Sequence, residues 1–256
     1  MDGVLSQEEI NALLNNNDAA DSSDEILTES EKDAIGEIAN ISMGTAATTL
    51  FSLVNRRVEI STPVVSFSNW DKIVDEYEKP CVFIKIGYTQ GLNGSNILVL
   101  KEKDVKIITD LMMGGDGTNI NGEIGELHLS AISEAMNQMM GSSATSLSSM
   151  LNRTIDISPP IAEVVDLKNT LNEGEIDSFL SEEFVKISFH MEIGDLVDSE
   201  IMQLYPPAFV KEMCKGVSQN MELDTQSVTE DVPQSSNTAT QAAPIQQPQD
   251  SGSMNN

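Results

Sequence analysis

The sequence predicts an α/β domain of two similar halves around a central β-sheet, each half contributing one long surface helix with the same polar pattern. Three observations carry that expectation. Asp33, Glu37, Asn40 and Pro63 recur as Ser130, Glu134, Asn137 and Pro160, at a constant offset of 97 residues from Glu37 to Glu134. Each copy opens on a long helical pattern and continues into short alternating strands and a glycine-centred hairpin. The likeness also extends past the polar positions: Met43-Gly44 matches Met140-Gly141, Ala47-Thr48 matches Ala144-Thr145, Asn55-Arg56 matches Asn152-Arg153, and Ile60-Ser61 matches Ile157-Ser158.

In chain order, residues 1–27 hold acids but no Lys or Arg and read as disordered apart from one island at 4–14. There Ser6 and Glu9 form a capping box, and Leu5, Ile10, Leu13 and Leu14 make a small apolar face. Two or three turns do not stay helical alone in water, so the island suits a helix that forms on docking to a partner; the alternative is packing on its own domain. A second capping box, Thr28 with Glu31, opens a helix to about Val54. Ile35, Ala39, Ala46, Leu50 and Leu53 fall on its buried arc, while Asp33, Glu37, Asn40, Gly44 and Thr48 line the opposite one. Short strands around Pro63, a helix at 70–77, a hairpin about 91–94 and a helix at 104–113 complete the half, 28–122.

The second half, 123–218, repeats the plan with a helix at 127–151 and a strand at 154–158. A strand at 161–167, a helix near 176–180 and a hairpin turning at Gly194-Asp195 follow. A final helix runs from Pro206 to Lys215, with proline in its first turn and Gly216 after its end. Residues 219–256 change to Ser, Gln, Asn, Thr, Pro and Ala and read as a flexible tail or linker.

Bulk properties narrow the function. A formal charge of −27, from 41 acidic and 14 basic residues, opposes binding to a phosphate backbone, so no nucleic acid is expected. Cys81 and Cys214 are far apart and outside any metal or redox spacing, which suits reduced thiols in a cytoplasm. No apolar run reaches membrane-spanning length, so no direct membrane insertion is expected.

Glu and Asn three residues apart, with Asp or Ser four residues earlier, share one helix face. One such stripe is ordinarily a solvated face; two at one offset, each followed by a glycine one turn after the Asn, point to a function. A carboxylate can hold a partner's lysine, and a carboxamide can both donate to and accept from a water. The pair suits orienting a nucleophilic water beside a bound anion rather than attacking covalently.

The spacing [Asp/Ser]-x3-Glu-x2-Asn-x22-Pro, present twice, resembles the CheC, CheX and FliY family of response-regulator phosphatases over about residues 28–218. The island at 4–14 is similar to the N-terminal CheY-binding peptide of the FliM and FliY proteins. The tail is similar to the linker that precedes a FliN-like switch domain in FliY-type members, a domain expected to be absent from this chain. The resemblance implies hydrolysis of the phosphoaspartate of CheY, ending the signal at the flagellar motor switch. Asn40 and Asn137 would each hold the attacking water, and Glu37 and Glu134 would pair with the receiver's active-site lysine. Asp33 and Ser130 would make secondary polar contacts. Pro63 and Pro160 would fix the helix through a strand end or turn. CheY would supply the Mg²⁺, leaving no cofactor or metal on this chain. Phosphorylated CheY is then the expected partner, with FliM-, FliG- or FliN-type switch proteins and CheD as further ones. The implied place is the cytoplasm, at the basal-body switch.

Other readings stay open. The chain could be a non-catalytic adaptor for phosphorylated CheY, or a CheC-like regulator partnered by CheD. Glu37 with Glu134 could form a glycosidase pair, although symmetry places them on separate helices. His128 and His190 lack ligand spacing, and Gly114-Gly115-Asp116-Gly117 lacks the Lys-Ser/Thr of a phosphate loop, so it reads as a connector. Met136, Met139, Met140 and Met150 read as core filler.

Overall fold

Thr28 starts the first long helix as expected. Its Oγ1 accepts from the Glu31 N–H at 3.2 Å, while Glu31 Oε2 accepts from the Thr28 N–H at 2.9 Å. The helix, α1, spans Glu29–Val54 and ends where Asn55 turns left-handed, at φ 48°. Its counterpart α4, Glu126–Leu151, ends the same way at Asn152, also φ 48°. Asn tolerates this conformation because its short amide can bond locally. The computed structural model describes residues 26–227 apart from 78–79 and 171–172, with the backbone alone for 218–227. The island at 4–14 and the tail beyond 227 lie outside the described residues.

Between and after these helices lie β1 (Val58–Ile60), β2 (Val64–Ser68), α2 (Trp70–Glu76), β3 (Cys81–Gln90), β4 (Gly94–Lys101) and α3 (Glu102–Met112) in the first half. The second half has β5 (Asp156–Ile157), β6 (Ile161–Val165), two 3-10 turns, β7 (Phe184–Ile193), β8 (Val197–Tyr205) and α5 (Pro207–Ser227). The eight strands form one antiparallel sheet in the order β1-β7-β8-β4-β3-β5, with β2 also on β7 and β6 also on β3. The halves therefore exchange edges: each half's short strands pair with the other half's hairpin.

The order reads the same from both ends, with the axis between β4 and β8 at the Val99–Met202 pair. A twofold axis normal to the sheet keeps both long helices on one face and reverses their direction. Ile35, Met43, Ala46 and Leu50 of α1, and Ile132, Met136, Met139 and Met140 of α4, pack with Ile84, Leu98, Ile187 and Ile201 of that face into the main core. Burying such side chains is worth roughly 1.5–3 kcal/mol each, enough to hold the helices down. A smaller core on the far face gathers Trp70, Ile73, Phe83, Val99, Phe184 and Met202 under α2 and the 3-10 turns.

Four expectations change. Leu53 is only half-buried, and Ile38 and Met43 complete the arc instead. The strand expected at 154–158 shortens to Asp156–Ile157, because the Ile155 N–H turns back to Ser148 Oγ at 2.9 Å and β3 bulges between Tyr88 and Gln90. The helix expected near 176–180 is two 3-10 turns, Glu173–Glu175 and Ser178–Ser181, with Asp177 drawn out of any helix by Lys85 and Ser95. The last helix does not stop at Gly216 but continues to Ser227. Gly216 is a point of close approach: a Cβ there would lie 2.7 Å from Leu151 Cδ2.

Candidate functional site

Spacing on α1 decides which side chains share its outer face. Asp33 and Glu37 are exposed and Asn40 half-buried, one turn apart, opposite the buried arc. The wall beside them comes from the chain after β1. Ser61 clamps this segment onto β7, with its N–H on the His190 carbonyl at 2.9 Å and its Oγ accepting the His190 N–H at 3.0 Å. Two residues later Pro63, with no N–H to give a ladder, separates β1 from β2. Asp33, Glu37, Asn40 and Pro63 thereby line one open cleft of about 390 Å³, together with Lys32 and Val65. Gly36 forms its floor, with Val65 Cγ2 3.6 Å from where a Cβ would stand.

The second copy is built alike. Ser158 repeats the clamp, its N–H on the Gly87 carbonyl at 2.8 Å and its Oγ accepting the Gly87 N–H at 3.1 Å. Pro160 is buried in the gap between β5 and β6, while Ser130 and Glu134 are exposed and Asn137 half-buried. One difference bears on chemistry. Glu134 Oε1 accepts from Gln138 Nε2 at 2.8 Å, whereas Glu37 has Ile41 one turn on and makes no hydrogen bond or ion pair among the described residues.

The two copies are separate sites. Thr49 Oγ1 donates to Ser142 Oγ at 2.8 Å where the antiparallel helices cross. Counting outward from that contact at 1.5 Å per residue puts Asn40 and Asn137 about 20 Å apart along the helices, and Glu37 and Glu134 about 30 Å apart. Paired glycosidase carboxylates need about 5–9.5 Å, so the two glutamates do not form such a pair. In each copy the glutamate is exposed and the asparagine half-buried on the outer helix face, and the first pair lines an open cleft rather than an enclosed cavity, an arrangement that another macromolecule's surface can reach.

Other marked residues fall elsewhere. His128 Nδ1 accepts the Gly125 N–H at 3.2 Å and closes the start of α4. His190 Nε2 meets Glu192 Oε1 at 3.1 Å on the sheet surface. Among the described residues no three His, Cys, Asp or Glu side chains converge as a metal-ligand set. The Gly114–Gly117 connector is folded around Asp110, whose carbonyl accepts the Gly115 N–H and whose Oδ2 accepts the Gly117 N–H, each at 2.8 Å. Burial pushes the Cys81 and Cys214 thiols up to about 11, which leaves them poor nucleophiles at neutral pH. Met136, Met139 and Met140 are fully buried.

Sequence reasoning passed over Lys32, which crosses the cleft wall to pair with Glu29 and lies 5.3 Å from the centroid of the Phe67 ring. It also passed over Ile41, Phe51 and Gln138. Their signal was mismatch within an otherwise faithful repeat: Ile41 against Gln138, and Phe51 against Ser148. Among the described residues no helix is long and apolar enough to cross a membrane.

Comparison with known proteins bears on this geometry. A sequence profile of the CheC-like family matches residues 31–67 and 127–164, the two segments that run from each long helix past the motif proline. The flagellar motor switch phosphatase FliY of Bacillus subtilis is 47% identical over 218 residues, covering 83% of this chain; the chain spans 57% of that protein's length. The CheY-P phosphatase CheC of the same organism is 24% identical over 143 residues, covering 54% of this chain and 67% of that protein. The crystal structure of Thermotoga maritima FliY superposes with a TM-score of 0.69 at 42% identity, covering 76% of this chain and 99% of that one.

Proposed function

The chain belongs to the CheC-like family, and from that premise we propose that it hydrolyses the aspartyl phosphate of the response regulator CheY at the flagellar motor switch. The observation that carries the proposal is the Glu-Asn pair displayed twice, on exposed and symmetric helix faces beside a proline-set wall. An acyl phosphate on another protein's surface needs a catalyst that can be inserted, and a protruding helix face supplies one.

In this mechanism Asn40 or Asn137 enters beside the phosphoryl group. Its carboxamide oxygen accepts from a water while its NH₂ steadies the water or a phosphoryl oxygen, placing the water in line with the scissile P–O bond. The water oxygen bonds to phosphorus, the P–O bond to the aspartate breaks, and the carboxylate leaves with the electron pair. The water's proton passes to the released phosphate or to solvent. Glu37 or Glu134 holds the receiver's active-site lysine by a charge-assisted bond and sets the helix in register. Asp33 and Ser130 add polar contacts one turn before. A Mg²⁺ held by the receiver would supply neutralisation of the phosphoryl charge, and no residue of this chain is asked to hold it. Residues 4–14 bind CheY and raise its concentration near both sites.

The test is phosphate release from acetyl-phosphate-charged CheY by the wild-type chain, the Asn40→Ala/Asn137→Ala double variant and a chain lacking residues 1–20. Loss of turnover in the double variant with binding retained supports the phosphatase. Turnover at the wild-type rate in the double variant would overturn it.

A further inference from the structure

The outer face of α1 does not end at Asn40. Gly44, Thr48 and Phe51 continue the same line toward the C-terminus, and with Ala47, Val58 and Ile60 they border a groove of about 480 Å³. Phe51 is 47% exposed and Ile41, beside Asn40, is 41% exposed, although large apolar side chains on this molecule are mostly buried. The corresponding stretch of α4 is polar. Ser148 replaces Phe51 and turns inward to take the Ile155 N–H at 2.9 Å, and Gln138 replaces Ile41 and engages Glu134. Ile155 is correspondingly buried, whereas Val58, its counterpart, is only half-buried at the groove.

We infer that Ile41 and Phe51 form an apolar docking strip for the same receiver domain that presents its phosphoaspartate to Asn40, which makes the first site the tighter of the two. The inference rests on the phosphatase reading given above. The occupant follows from continuity. Asn40 and Phe51 are about 16 Å apart along α1 at 1.5 Å per residue. A specific interface covers about 800 Å² per partner, so a receiver seated over Asn40 extends across Phe51. An exposed phenyl ring beside a groove, at the edge of a polar motif, is the side-chain type that dominates binding energy in such interfaces. At the second site the helix face that follows Asn137 carries no such strip and Glu134 is partly occupied by Gln138; its exposed apolar side chains, Leu127 and Ile161, lie before Ser130 and after Pro160 instead.

The experiment uses two single-site chains, Asn137→Ala (first site only) and Asn40→Ala (second site only), each with and without Phe51→Ser. Steady-state phosphate release from acetyl-phosphate-charged CheY gives KM and kcat. The expected result is a KM raised about tenfold by Phe51→Ser in the first-site chain with kcat unchanged, and no change in the second-site chain. Phe51→Leu should recover part of the loss. An unchanged KM in the first-site chain, or an equal rise in both chains, overturns the docking strip. Failure of the phosphatase reading shows differently, as two single-site chains and a double Asn variant that all turn over at the wild-type rate. Calorimetric binding of charged CheY to the double Asn variant with and without Phe51→Ser then still decides the docking strip: equal affinities overturn it.

Discussion

The two halves share a backbone plan and differ in what surrounds the shared motif. In the first, Glu37 makes no hydrogen bond or ion pair among the described residues, the cleft carries Lys32, and the helix face runs on into Ile41 and Phe51. In the second, Glu134 is held by Gln138, Leu129 stands where Lys32 would, and Ser148 caps the chain instead of projecting a ring. The two copies therefore keep the Glu-Asn pair and the serine clamp beside it, and they diverge in the side chains around them.

The largest effect expected from breaking this comparison is on turnover. Asn40→Ala or Asn137→Ala alone should leave the other site working, whereas the double variant should lose about 10²-fold or more in kcat/KM for charged CheY. Single-turnover phosphate release checks this. If either single variant alone removed all activity, the sites would not be independent.

Next in size is a stability difference between the hairpin turns. Gly91 and Gly194 occupy matching turns, at φ 81° and 52°. A Cβ on Gly91 would lie 2.1 Å from the Thr154 carbonyl oxygen, while one on Gly194 meets nothing within 4 Å. Gly91→Ala should cost about 3 kcal/mol, from left-handed strain plus overlap with backbone that must move, against about 1 kcal/mol for Gly194→Ala. Urea midpoints measure both. Equal shifts would mean that the segment carrying Thr154 yields freely.

These contrasts also show what the sequence could reveal. Both long helices, the cap at Thr28 and the hairpins were legible because they rest on local signals: a capping box, a 3.6-residue period and turn glycines, whereas the left-handed ends at Asn55 and Asn152 emerged only in the fold. The motif face was legible because opposite arcs of a helix follow from spacing alone. The edge exchange between halves was not, since pairing β1 with β7 or β5 with β3 joins residues more than 60 apart and no local pattern encodes that choice. Lys85 and Ser95 converting a helix near 176–180 into 3-10 turns, and Leu151 drawing Gly216 close, are likewise tertiary effects. The Ser61 and Ser158 clamps, two residues before Pro63 and Pro160, are tertiary contacts as well and left no local signal.

A smaller effect should come from exchanging the neighbours of the two glutamates. Gln138→Ile frees Glu134, and Ile41→Gln imports the restraint to Glu37. In single-site chains the first change should raise kcat/KM of the second site about threefold and the second should lower that of the first by a similar factor, the worth of roughly 0.6 kcal/mol for one exposed hydrogen bond. If both changes moved activity in the same direction, competition for the carboxylate would not be the cause.

The smallest expected effect concerns how each half covers the far face of the sheet. The first half uses α2, capped by Asn69 on the Lys72 N–H at 3.0 Å, a neutral contact. The second uses Asp177, which takes Lys85 Nζ at 2.7 Å and Ser95 Oγ at 2.9 Å. Burial alone would push the Asp177 carboxyl up, but the Lys85 and Ser95 bonds outweigh it and hold the group below its ordinary value of 3.8. Because the folded-state value is depressed, the clamp stabilises fully above the unfolded value and is lost as pH falls through the folded one. The group is partly exposed, so solvent screening keeps its worth below about 1 kcal/mol. Wild type should therefore exceed Asp177→Asn in urea stability by a small constant amount near neutrality, and the gap should close only below about pH 4. Asn69→Ala, which removes a contact without a titrating group, should leave a gap that does not change across the same range. A pH-independent gap for Asp177→Asn would mean that the clamp acts through packing rather than charge.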